Sequence, residues 1–149
     1  MNSSKNFLFW KNWLLIANLI TVLIGLFIAF AGNSILFEPH NQGTRDLFFG
    51  GNSISGEMLY LKNWLFGVIG ATIAGFHLLV VFITHYAFAK KEKWARNAIA
   101  SALALWFVVD STLSIYYGAY YNLYWINIPC ISLLSLPLIM TWGGFQKKV

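Results

Sequence analysis

Four stretches of this chain, from about Trp13 to Asn33, Trp64 to Phe88, Trp94 to Tyr117 and Leu123 to Trp142, are dominated by apolar side chains. Each is close to the roughly 20 residues that a helix needs to cross the hydrocarbon of a bilayer. The sequence therefore predicts an all-α integral membrane protein, a four-transmembrane-helix bundle forming one membrane domain over 1–149. Composition agrees: 58% hydrophobic residues, 10% charged residues and a mean hydropathy of +0.64 do not fit a soluble domain of this length. The first run is too long for the apolar core of a signal peptide, and Phe30 interrupts the small-residue end Ala29-Phe30-Ala31, so a retained helix is expected.

The formal charge of +5 does not form a nucleic-acid-binding stripe. Lys5, Lys11, Lys90, Lys91, Lys93, Arg96, Lys147 and Lys148 fall on one side of the predicted spans, and only Arg45 and Lys62 on the other. The positive-inside rule then puts the N- and C-termini in the cytoplasm and a long loop, 34–63, outside. Membrane lipids are the first expected partners, the Lys90 cluster being suited to anionic headgroups. The order Trp94-Ala95, Trp106, Asp110, Asn122 and Leu136-Pro137-Leu138 resembles small bacterial four-helix membrane proteins with no assigned activity. That resemblance implies a bacterial cytoplasmic (inner) membrane. Cys130 is the single cysteine, so no intramolecular disulfide or Cys-based zinc site can form, and neither a metal nor a cofactor is expected.

Residues 34–63 are polar and turn-rich and hold three of the five acidic residues, Glu38, Asp46 and Glu57. Glu38-Pro39-His40 and Gly50-Gly51-Asn52 punctuate the stretch, which reads as a loop, with Leu47-Phe48-Phe49 returning to the membrane surface or capping the bundle. In the second helix Gly67, Ala71 and Gly75 recur every four residues, with Gly70 and Ala74 as a second pair one face round. Small residues at that spacing let another helix approach closely. Asn18, Thr21 and Gly25 mark the inward face of the first helix by the same reasoning.

The third helix carries Asp110. A carboxylate in such a segment costs roughly 2.5–3.5 kcal/mol on insertion scales and belongs on the protein interior. Trp106, Asp110, Ser114 and Tyr117 share one face, and at 1.5 Å per residue Asp110 stands roughly 24 Å from the cytoplasmic end, with His77 roughly 8 Å lower. Thr72 and Asn127 are nearer its level. An outward-facing polar pocket follows: Trp106, Ser114, Tyr117, Thr72 and Asn127 as ligand-binding residues, Asp110 and His77 as candidate catalytic groups, His77 at the floor. Pro129 and Pro137 break the fourth helix and free carbonyls for water, Ser132, Ser135 or Thr141 to satisfy.

Three functions fit these residues. The pocket could bind a lipid or other hydrophobic small molecule, with proton transfer at Asp110 and His77. The polar and small-residue faces could instead join a homo-oligomer or another membrane protein, as an accessory or structural subunit. Proton-coupled transport or conduction is the third, although a pathway ordinarily uses a chain of ionisable groups. No residue pattern names a reaction, so whether the chain is an enzyme stays open.

Overall fold

A computed structural model describes residues 3–145. Its regular elements are helical: α1 (Ser3–Ala31), α2 (Glu38–Phe49), α3 (Gly56–Tyr86), α4 (Lys93–Tyr116) and a last helix, α5 (Tyr120–Phe145), made of several differently wound pieces. Four of these, all but α2, are long and apolar enough to cross a membrane. Lys147 and Lys148 lie outside the described residues.

Residues 34–63 are not the irregular loop that their polarity predicts. Glu38 and Pro39 open α2 and Gly50 closes it in the left-handed region (φ 59°), its N–H bonded to the Arg45 carbonyl. The reason is local: an acidic residue and a proline suit a first helical turn, and glycine suits a helix end. Arg45 Nη2 also bridges Glu38 Oε1 at 2.5 Å. A helix continues again from Gly56, so α3 begins well before Trp64.

The main packing contact is α1 on α3. It is a backbone contact made possible by two glycines. A Cβ on Gly70 would stand 2.5 Å from Ala29 N and Gly25 O, and one on Gly25 would stand 2.7 Å from Ala74 N. The buried face of α3 runs Gly70, Ala74, His77, Val80 and Thr84, a stripe with helical spacing. Of the two small-residue faces expected on this helix, the Gly70–Ala74 pair therefore makes the close contact. Gly75 faces open space.

At the basic end the core closes on aromatic rings. Phe88 is fully buried, 5.8 Å from Phe7 and 4.8 Å from Phe145, ring centre to ring centre. The Arg96 guanidinium lies 3.8 Å from the centre of the Trp142 ring, a cation–π contact that partners this buried charge.

Pro137 cannot bond the Leu133 carbonyl, the group four residues back. The indole of Trp13 on α1 does so at 3.1 Å. The expected helpers act elsewhere: Ser132 Oγ donates to Ile128 O and Thr141 Oγ1 to Pro137 O, neither of them a carbonyl that a proline frees. Trp13, ten residues past the start of α1 and not at the helix end where the sequence places it, is thus a link between helices. Trp13→Phe should cost about 0.5–1.5 kcal/mol in a detergent unfolding titration. In the Pro137→Ala background the loss should shrink, because the restored amide can bond the same carbonyl; an undiminished loss would assign the effect to packing.

Candidate functional site

Asp110 and Ser114 stand one turn apart on α4, with Ser111 buried beside them. The facing residues come from an irregular part of α5. Pro129 has no N–H for the Trp125 carbonyl, and just before it the ladder widens over Leu123–Asn127, the Ile128 N–H reaching back to the Leu123 carbonyl. In an α-helix side chains five apart point roughly 140° from one another. The wider turn brings Asn122 and Asn127 to one side, and both reach the same carboxylate oxygen.

The hydrogen bonds are specific. Asn122 Nδ2 and Asn127 Nδ2 each donate to Asp110 Oδ1 at 2.8 Å, and Ser114 Oγ donates to it at 3.2 Å. Asn122 Nδ2 also reaches Ser114 Oγ at 2.9 Å, and Asn127 Nδ2 reaches Ser111 Oγ at 3.2 Å. Asn127 is completely buried, and with its NH2 turned to these acceptors its Oδ1 has no donor. A buried amide oxygen without a partner costs about 1–3 kcal/mol, so the carboxylate outweighs it in orienting the amide. Among the described residues Asp110 Oδ2 accepts no hydrogen bond, and the only ion pair is Arg45 with Glu38, far along the chain from this cluster.

Beside the cluster runs an open groove of about 700 Å³, lined by Phe76 of α3 and by Ala102, Leu105, Trp106, Val109, Asp110, Leu113 and Ser114 of α4. It exists because α4 leans on α5 and meets α3 only sparsely. Its walls are apolar along α4 until Asp110 and Ser114, which give it one polar end.

Trp106, Asp110 and Ser114 thus line one groove, and Asn127 joins them through the carboxylate. Three expected members do not. His77 Nδ1 bonds Asn18 Oδ1 at 2.7 Å in the α1–α3 interface, both residues buried. It stands seven residues after Gly70, on the packed stripe, so its partner comes from α1 and not from α4. Thr72 stands two residues after Gly70, which turns it to the opposite side of α3. It is exposed and its hydroxyl bonds its own Val68 carbonyl at 2.8 Å. Tyr117 lies beyond the last helical residue of α4, so the helical phase no longer governs it; it is 58% exposed and rests edge-on against Tyr116.

Asn122 and Ser111 complete the cluster and are not among the expected site residues. The sequence signal that could have found them is Pro129, which demands a widened turn in front of it. Tyr121 is the seat of α2: a Cβ on Gly43 would stand 2.7 Å from its ring, and Thr44 Oγ1 lies 3.0 Å from its hydroxyl. His40 packs edge-on against Tyr121 and Phe66, at 5.2 and 5.8 Å between ring centres. Asn41 Nδ2 ties α2 to the end of α1 through the Gly32 carbonyl at 2.9 Å.

Burial, and secondarily the charge of Lys62, hold the His40 pKa below its ordinary 6.5. A depressed value means that docked α2 binds fewer protons than undocked α2. Docking should therefore be fully present above pH 6.5 and be lost as pH falls through the lower docked value. Hydrogen exchange of the α2 amides between about pH 7.5 and about pH 5 should show faster opening on the acid side. His40→Phe should remove that dependence; its persistence would place the titration elsewhere.

The class defined by this architecture is a small helical protein with four helices suited to crossing a membrane. Comparisons with protein-family models, curated proteins and solved structures found no match.

Proposed function

We propose that this protein binds an amphiphile, a lipid or other hydrophobic small molecule, with its chain in the α3–α4 groove and its polar head at Asp110 and Ser114. One observation carries the reading: Asp110 commits one oxygen to the polar cluster while the other accepts no hydrogen bond among the described residues, at the polar end of an apolar groove. An apolar cleft with a few convergent polar groups is the ordinary form of a small-molecule site. Asp110 is the only titratable residue lining the groove. His77 is engaged with Asn18, so the reading is one of binding, in which any proton exchange would use Asp110 alone.

The proposed setting is a bacterial cytoplasmic membrane with both termini on the cytoplasmic side. Support comes from the end where Phe7, Phe88 and Phe145 meet: Lys91 lies 4.7 Å from the Phe7 ring and Arg96 5.3 Å from the Phe145 ring, whereas Lys62 and Arg45 belong to the opposite end. In this orientation α2 covers the outer end of the bundle.

Native mass spectrometry of the protein released from a mild detergent tests the reading. The wild type should retain an amphiphile, and Ala102→Trp, which fills the groove away from Asp110, should reduce retention about tenfold, a change equivalent to about 1.4 kcal/mol. Retention unchanged in a folded Ala102→Trp protein would contradict it.

A further inference from the structure

The charge balance of the groove narrows the class of ligand, on the premise that the groove binds an amphiphile. Asp110 is a carboxylate whose partners Ser114, Asn122 and Asn127 are all neutral, and no Lys, Arg or His among the described residues pairs with it. Neutral donors satisfy its Oδ1 and supply no countercharge. In a low-dielectric setting a carboxylate without a countercharge is costly, and a cation beside it would offset that cost. Every other ionisable side chain is absent from the groove lining, so nothing there favours an anionic head, and Asp110 opposes one.

A second feature points the same way. Trp106 lines the groove one turn below Asp110, and Phe76 lines it from α3. Aromatic faces attract organic cations, indole most strongly, and a carboxylate above an aromatic wall is a recurrent setting for an ammonium group. Below Asp110 the groove follows α4 down to Ala102, about 12 Å, along which an alkyl chain can extend.

We infer that the groove selects a cationic amphiphile, a single alkyl chain carrying an ammonium head, with the ammonium between Asp110 and Trp106 and the chain running toward Ala102 and Phe76. A neutral alcohol of the same chain would fill the groove without answering the charge. A fatty acid would meet Asp110 with like charge.

Photoactivatable diazirine analogues of dodecyltrimethylammonium and dodecanol distinguish these, presented at equal mole fraction to the full chain in phosphatidylcholine nanodiscs. Labelled peptides are mapped by mass spectrometry. The wild type should label within 102–114 at least about tenfold more with the ammonium probe than with the alcohol. Asp110→Asn should bring that ratio close to one while alcohol labelling persists. Leu113→Lys, which offers a cation to Asp110 from inside the groove and leaves the asparagine and serine partners in place, should do the same and stands in if Asp110→Asn does not fold.

Groove labelling at equal rates by both probes in the wild type would overturn the cationic preference and leave amphiphile binding intact. A ratio unchanged by both variants would overturn it as well. Failure of both probes to label the groove, or its occlusion by a second copy of the chain, would instead remove the binding reading on which the preference rests.

Discussion

Gly70→Ala should destabilise the bundle by about 1–3 kcal/mol in an unfolding titration, the range for forcing an extra carbon into a packed contact. The atoms that the new methyl would meet are backbone, Ala29 N and Gly25 O at 2.5 Å, and backbone cannot rotate aside as a side chain can. Relief requires α1 and α3 to separate, which weakens the neighbouring His77–Asn18 bond on the same interface. Gly75→Ala is the matched control. Its added Cβ meets nothing within 4 Å, so the change should be neutral or slightly stabilising through the better helix propensity of alanine. Equal effects of the two substitutions would mean that the helices do not cross at Gly70.

Asp110→Ala should cost about 2 kcal/mol, and Asp110→Asn less. Hydrogen bonds to a charged group contribute about 1.5–3 kcal/mol, but here Asn122 and Asn127 retain second acceptors in Ser114 and Ser111. The asparagine variant keeps one carbonyl oxygen to accept the same donors, which the alanine variant lacks. Steric trapping of the unfolded chain in bilayers would measure both. A loss no larger in Asp110→Ala than in Asp110→Asn would mean that the cluster contributes no net stability through that oxygen. Because Ala102→Trp leaves these hydrogen bonds untouched, its effect should fall on ligand retention and not on this stability.

The number of spanning helices was legible in the sequence because bilayer thickness sets the apolar length each needs, but their ends were not: α1 begins at Ser3, ten residues before Trp13, and α3 at Gly56, eight before Trp64. What depth alone could not provide was facing. Thr72 was selected for its level, yet it stands on the side of α3 away from the packed stripe. Two small-residue stripes competed on that helix, and Gly70 with Ala74 prevailed because Gly25 on α1 offers bare backbone opposite them. The Asp110 face was legible through its spacing as far as Ser114, and failed at Tyr117 where the helix ends. Asn122 was hidden by a departure from the α-helical period, and α2 by a composition that resembles a loop until its proline, glycine and charge positions are read together. Asn18 and His77 were both marked as inward-facing, but their meeting depended on the register of α1 against α3.

The central claim is that the groove between Phe76 and Trp106 holds an amphiphile whose head reaches Asp110. A crystal structure grown from a lipidic mesophase tests it most directly. The account predicts elongated density along Ala102, Leu105 and Trp106, ending within hydrogen-bond distance of Asp110 Oδ2. A structure in which α3 closes against α4 and a protein donor occupies that oxygen would contradict it.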